Sequence, residues 1–368
     1  MGAGSTDGLL AQQVRCTARP PRGARPASAG APAAPAFPVE LLAERVDPVT
    51  GVRVRRVAVA DESDLSPSRE STHAMFALLD EMLRAHPQWR APSVVDGEVA
   101  THGNPAGEWV YASAAMREWR RELVPGAVAL YPVQRQASHL PSGAPLDATA
   151  RRVFLDSIDG IGIRSRARIM SQAVRRVTEA SWRSGAPEPA TWVSLACGAA
   201  VPVLDAVAAL RGPRVHLQLV DLDASALAFA ARLAAEQGLV EGVDYALHRR
   251  DLVRTAVAGS SLVDEVGEGA ATVVEALGIF EYFTDASCVR LLRNAYRMLR
   301  PGGALVVGNM LSDRRQLHFN QRAAGWPRLH PRSVDQLVGL VRRAGLPTRR
   351  TRVSIPEDGV YAVLEVDR

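Results

Sequence analysis

The chain contains no lysine, so all 44 basic residues are arginine, set against 39 acids and scattered along the sequence. The net charge of +5 and the pI of about 9.5 therefore say little about partners, because a nucleic-acid surface needs its basic residues gathered in a patch or stripe. Cysteine is scarce too. Cys16, Cys197 and Cys288 form no C-x-x-C pair and no metal-ligand cluster with the eight histidines, so neither a disulfide scaffold nor a zinc site is expected, and a reduced, cytoplasmic protein fits best. Nor does any apolar run reach the ~18 residues of a bilayer span. Aromatic residues are only 5% of the chain, and Trp109, Tyr111, Trp119 and Tyr131 gather many of them in one segment, as core packing or as the wall of a substrate site.

Residues 1–38 are mostly Ala, Pro, Gly and Arg, too poor in large apolar side chains to offset the entropy of ordering, and are expected to be disordered. An arginine-rich, acid-poor leader is also the composition of a transit peptide. Residues 39–156 mix the alternating VRVRRVAV of Val52 to Val59 with a helix over Ser71 to Ala85, in which Met75, Leu78, Leu79 and Met82 make one apolar face. This reads as a small α+β accessory domain covering a substrate. Beyond it, in DSIDGIGIRSRARIM, Arg164, Arg166 and Arg168 follow two glycines at the start of a helix whose apolar face is Ile169, Met170, Ala173, Val174 and Val177. The arginines either pair with acids on a solvated helix start, or Arg164 or Arg166 turns toward a site and holds a carboxylate.

Residues 157–368 alternate regularly. Strands are expected at Val193 to Leu195, Val215 to Val220, Tyr245 to His248, Ala271 to Ala276 and Ala304 to Gly308, with helices at Pro202 to Leu210, Ser225 to Gln237, Asp285 to Leu299 and Val334 to Ala344 between and after them. A final hairpin turns around Pro356 to Gly359. That rhythm predicts an α/β fold, a doubly wound, mostly parallel sheet whose ligand lies outside the carboxyl ends of the strands.

The centre of this domain is TWVSLACGAA, Thr191 to Ala200: an apolar strand, a turn of small residues, and a helix whose first N–H groups are free to meet a ligand. Asp221 ends the next strand at about the ~20-residue distance that separates a nucleotide-binding turn from its ribose-binding acid. A dinucleotide fingerprint needs G-x-G-x-x-G, and here only Gly198 is present. The residues instead resemble the class I S-adenosylmethionine-dependent methyltransferases, whose first motif is (D/E)-x-G-x-G-x-G. Ser194 stands here in place of the acid, and Ala196 and Ala200 in place of two glycines. The Asp251 of HRRDLV and the RMLRPGG of Arg297 to Gly303 before an apolar strand match further pieces in the family's order.

The resemblance implies a seven-stranded sheet with its last strand reversed and S-adenosylmethionine as cofactor. Ala196, Cys197, Gly198 and Ala200 would form the turn on the cofactor, Asp221 and Leu222 would meet its ribose and Asp251 and Leu252 its adenine, and Glu275 also counts among the cofactor residues. On the acceptor side Glu281 and Tyr282 fall where related enzymes carry a polar-aromatic pair after the fourth strand, and His318 lies in the loop after the fifth. Glu281 is the first choice for a general base, since a strand end fixes its position. His318 is read as a base or, more commonly for a lone loop histidine, as a merely exposed or hydrogen-bonded residue; Asn309 and Trp326 are further substrate-side candidates, Trp326 as much a packing anchor as a pocket wall. Cys197 has no histidine near it in sequence and is a small turn residue rather than a nucleophile. No metal is required. The acceptor is expected to be a small molecule modified at oxygen or nitrogen, and a homodimer is left open. RNA or protein as substrate is the alternative, although LGIFEYF replaces the (N/D)-P-P-(Y/F) run of nucleic-acid amino methyltransferases. A third reading is a protein that uses the fold without methylating.

Overall fold

The computed structural model describes residues 38–61, 69–186, 188–210, 214–252, 254, 261–326 and 329–368. The expectations for residues 1–37, Cys16 included, lie outside them.

Two apolar runs set the centre of the fold. Strands β5 (Ala190–Leu195) and β8 (Ala271–Ala276) are almost entirely buried, as strands must be when helices cover both faces of a sheet. Their side chains alternate between two cores. Val193, Leu195, Val274 and Ala276 point to one, which holds Leu292 and Met298 of a helix at Asp285–Met298 and Val341 of another at Val334–Arg343. Trp192 and Val273 point to the other, with Met170, Leu204 and Ala230 from helices at Ile158–Arg183, Val201–Ala208 and Ala224–Glu236. This is the doubly wound arrangement expected from the sequence.

The remaining strands of the sheet are β1 (Val39–Val46), β2 (Arg53–Val59), β6 (Val215–Asp221), β7 (Tyr245–Arg249), β9 (Leu299–Met310), β10 (Thr351–Pro356) and β11 (Tyr361–Asp367); a separate hairpin pairs β3 (Ser93–Val95) with β4 (Glu98–Ala100). The order is β1-β2-β10-β11-β9-β8-β5-β6-β7. Strands β7, β6, β5, β8 and β9 run parallel, and β11 lies antiparallel between β9 and β10, the reversed final strand that the resemblance implies.

The strand count corrects the expectation of seven to nine. Left alone, β10 would expose a row of unpaired N–H and C=O groups, and β2 satisfies them by pairing in parallel from Arg53↔Arg352 to Pro356↔Val57. In VRVRRVAV the alternation breaks at Arg55-Arg56, so Val52 and Val54 are buried in one core and Val57 in the other. Strand β1 then forms the edge, interrupted by a register shift between Leu41 and Ala43. A second difference concerns RPGG. The strand begins already at Leu299, and residues 300–303 bulge out opposite Thr272, because the register jumps from Ala271↔Leu299 to Val273↔Ala304. Gly302 has φ +77°, and a Cβ on Gly303 would meet the Thr272 carbonyl at 2.7 Å, so this excursion needs both glycines.

Residues 69–156 contribute the helix Arg69–Ala85, several short helices and a third core. Phe76, Leu83, Met116, Trp119 and Phe154 pack there with Met310, Phe319 and Tyr361 of the sheet and of the loop after β9. Phe76 meets Phe319 edge-on with ring centroids 4.7 Å apart. The described residues all belong to a compact unit, Ala34–Arg368. Its helices place this layer over the end of the sheet where β9 finishes. No described helix is long and apolar enough to cross a membrane.

Candidate active site

The turn after β5 repeats a left-handed backbone at every second residue: Ala196 has φ +53°, Gly198 +53° and Ala200 +55°. These are the three positions at which the resembled motif has glycine. The conformation is thus kept where the residue is not, against a left-handed penalty of about 1–2 kcal/mol for each alanine. At Ala200, which is buried, the penalty is offset by the methyl group, worth roughly 0.8 kcal/mol of burial, and by the extra freedom glycine loses on folding. Ala200→Gly is therefore expected to shift the unfolding free energy by less than ~1 kcal/mol in urea titration, and a larger loss would mean that the methyl does more than fill space.

Asp221 ties the turn to the second strand. Its Oδ2 accepts from the Gly198 N–H at 2.8 Å and its Oδ1 from the Asp223 N–H at 3.0 Å. Each carboxylate oxygen keeps a lone pair for a ligand. A cleft of about 340 Å³ opens over these residues. Its lining includes Ala196, Cys197, Gly198, Ala200, Asp221, Leu222, Glu275 and Tyr282, and it is roofed by Pro125, Gly126 and Ala127. A Cβ on Gly198 would come within 2.6 Å of the Ala127 carbonyl oxygen, so the glycine is needed for the roof itself. Burial and the neighbouring Asp221 and Glu275 push the Cys197 thiol well up, which keeps it protonated and unreactive.

A second, smaller and more apolar chamber of about 60 Å³ adjoins the cleft, walled by Trp119, Phe154, Met310, Phe319 and Trp326. Leu130, Ile163, Arg166, Gly278, Tyr282 and Trp326 line both spaces and mark their junction. Trp119 and Trp326 stack at 5.7 Å, the Trp119 indole N–H donates to the Ala129 carbonyl at 2.9 Å, and that of Trp326 donates to the Tyr282 hydroxyl at 2.7 Å. With both indole donors satisfied, the rings offer apolar surface to an occupant.

Among the described residues the charged groups lining this chamber are Arg166 and Glu281, both buried, and Asp159. Arg166 Nη1 donates to Glu281 Oε1 at 3.1 Å, and the guanidinium lies 4.1 Å from the Tyr361 ring centroid. Glu281 Oε2 is buried with no hydrogen-bond partner, a costly condition that a ligand's donor would relieve. Burial raises the Glu281 pKa although Arg166 opposes the shift, and burial also pushes the Tyr361 hydroxyl up to about 12. Arg332 holds the segment that carries Glu281 and Tyr282, donating to the Phe280 carbonyl at 2.8 Å, the Phe283 carbonyl at 2.6 Å and Asn309 Oδ1 at 2.9 Å.

Three candidates are not where the sequence suggests. Leu252 is buried in the first apolar core, and Asp251 caps the following turn by accepting from the Arg254 N–H at 3.1 Å; neither is among the described residues lining the cleft. His318 is half-buried and lines neither space, because the helical turn at Phe319–Ala323 brings Phe319 and Asn320 to the chamber instead. Asn309 is taken up by Arg332. Of the three arginines, Arg164 and Arg168 share Asp61, Arg164 doing so with two contacts of 2.8 Å, and Arg166 alone faces the site. The roof at residues 125–127 and the contributions of Ile163, Asn320 and Tyr361 were missed by sequence reasoning, since nothing local to them signals a pocket.

No family model matches the chain, and no curated protein matches it. Solved structures do. A protein from Bordetella parapertussis, described as a possible exported protein, is 19% identical with a TM-score of 0.56 over 82% of this chain and 98% of its own. An O-methyltransferase family 2 protein from Planctomyces limnophilus in complex with apigenin is 14% identical with a TM-score of 0.41, over 84% and 99% of the two chains. An O-methyltransferase family protein from Burkholderia thailandensis is 18% identical with a TM-score of 0.39, over 78% and 82%. At 19% identity the likeness to the Bordetella protein is one of fold.

Proposed function

We propose that the chain transfers a methyl group from S-adenosylmethionine to an oxygen or nitrogen atom of a small-molecule acceptor. The observation that carries this reading is the junction of two unlike spaces at the carboxyl ends of β5, β6 and β8. One is a polar cleft built on three alternating left-handed residues and Asp221, and the other an apolar chamber with an unpaired carboxylate oxygen.

The residues of the cleft suit the cofactor. Asp221 keeps acceptor capacity for ribose hydroxyls, the turn at Ala196 to Ala200 brings bare backbone to the cleft wall, and Leu222 at the rim, 57% exposed, offers apolar surface to a base. When bound, S-adenosylmethionine supplies an already activated methyl, whose bond to sulfur breaks with the electron pair going to sulfur as the acceptor heteroatom takes the carbon. The chain's own part is alignment, exclusion of water and management of one proton. Trp119, Phe154 and Trp326 exclude water from the acceptor. Arg166 holds Glu281 Oε1, which leaves Oε2 to accept the acceptor's proton as the new bond forms. The unpaired oxygen thus favours an acceptor that brings a hydrogen-bond donor, a hydroxyl or an amine, and the largely aromatic, apolar wall of the chamber suits a small molecule.

Incubation of the protein with methyl-labelled S-adenosylmethionine and fractionated small-molecule extract, followed by mass spectrometry, tests the reading. Label appearing in a low-mass product supports it. Label appearing only in RNA or protein favours the macromolecular alternative, and cofactor binding without any methylated product favours a non-methylating use of the fold.

A further inference from the structure

The motif at the turn lacks its acid, and the structure holds another acid at the same level of the sheet. Ser194, which stands at the acid's place, is paired across the parallel ladder with Glu275 of β8, and the serine hydroxyl donates to the Glu275 carboxylate. The other carboxylate oxygen accepts from the Leu277 N–H at 3.1 Å. Glu275 is 5% exposed and lines the cleft with Ser194, Ala196 and Cys197. A serine hydroxyl and one backbone N–H orient this carboxylate without neutralising it, and among the described residues no arginine is bonded to it. Among the described residues the charged groups facing it are Arg166 from the helix Ile158–Arg183, which also lines the cleft but is bonded to Glu281, and Asp221 from β6, with the Cys197 thiol between the two acids. A buried carboxylate on a ligand cleft with free lone pairs and no bonded cation calls for a cationic ligand group.

We propose that Glu275 replaces the acid missing at position 194 and anchors the ammonium group of the amino-acid end of the ligand in this cleft. The inference rests on the cofactor reading above. One consequence is a proton linked to binding. Burial raises the Glu275 pKa to about 7 despite the bonds from Ser194 and Leu277 and the charge of Arg166, so near neutrality a good part of the molecules carry a proton there. A ligand ammonium selects the ionised form, so that proton leaves on binding. Affinity should rise with pH through the neutral range and level off above it.

The test is calorimetric titration with two ligands that carry no transferable activity: S-adenosylhomocysteine, which has the ammonium, and methylthioadenosine, which shares its nucleoside end and lacks the amino acid. For the wild-type protein, S-adenosylhomocysteine should bind about tenfold more tightly at about pH 8 than at about pH 6, with proton release seen in buffers of different ionisation enthalpy, while methylthioadenosine affinity stays flat. Glu275→Gln should weaken S-adenosylhomocysteine by at least about tenfold, abolish the proton release and leave methylthioadenosine unchanged. Equal pH profiles for the two ligands on the wild type, or a Gln variant that loses both equally or neither, overturn the proposal. If neither ligand binds the wild-type protein, the cofactor reading itself fails.

Discussion

Glu281→Gln is expected to lower methyl-transfer turnover by about 10²–10⁴-fold while S-adenosylhomocysteine affinity changes little, because the carboxylate acts on the acceptor's proton and does not line the cofactor cleft. The substitution keeps the side chain's size and an oxygen for Arg166 Nη1, and removes the basic oxygen that now has no partner. It also leaves the Arg166 charge buried without its counter-ion, so stability should fall, by less than the ~3–5 kcal/mol of a fully broken buried pair because the amide oxygen can still accept from Arg166. Turnover measured well below the melting temperature separates the two effects. A second signature belongs to the base alone. Burial holds the Glu281 pKa above the ordinary carboxylate range, so turnover of the wild type should rise with pH at a correspondingly higher position, and this limb should vanish in the Gln variant. Full turnover in Glu281→Gln would mean that the reaction proceeds by alignment and desolvation without a protein base.

Gly198→Val should abolish ligand binding and also damage the folded cleft. The sequence suggests that a branched side chain here would occupy ligand space. The structure adds two stronger reasons. The new Cβ would lie 2.6 Å from the Ala127 carbonyl oxygen, and φ at this residue is +53°, where a β-branched residue is strongly disfavoured. Neither the roof nor the turn can keep its place, and the Gly198 N–H bond to Asp221 goes with them. Calorimetry with S-adenosylhomocysteine should show no measurable heat, and thermal unfolding should begin earlier than in the wild type. Undiminished affinity would show that the ligand does not sit on this turn.

The parts of the fold that could be read from the sequence are those whose signal is local. Strands β5 to β9 and their helices are apolar runs divided by small residues and glycines, the last two strands are announced by their turn at Pro356 to Gly359, and right-handed crossovers then put helices on both faces of the sheet. The partner of β2 is not a local matter. The alternation of VRVRRVAV announces a half-buried strand, but nothing near Arg53 says that it lies beside Arg352, about three hundred residues later. The site divides in the same way. The turn at Ala196 to Ala200 and Asp221 are adjacent motifs on adjacent strands and were legible. The pairing of Arg166 with Glu281 joins the helix before β5 to the segment after β8, and the sequence offered that arginine only as an alternative to Arg164. Leu252 and His318 show the converse. Each follows a strand end, yet local packing in one case and a helical turn in the other take them away from the two spaces. Ser194 and Glu275 lie between these extremes: the gap in the motif is visible in the sequence, and its remedy appears only in the register of two neighbouring strands.

The central claim is that the cleft over Gly198 and Asp221 holds the nucleoside end of S-adenosylmethionine. Its most direct test is calorimetric titration of S-adenosylhomocysteine into the wild-type protein and into Asp221→Ala, with circular dichroism to verify that both are folded. The variant loses an ionised acceptor for the ribose hydroxyls, each such bond being worth about 1.5–3 kcal/mol, and with it the bond that positions the Gly198 N–H. The account predicts one site per chain in the wild type and an affinity at least about tenfold weaker in the variant; a folded Asp221→Ala protein that binds as tightly as the wild type, or a wild type that does not bind at all, would contradict it.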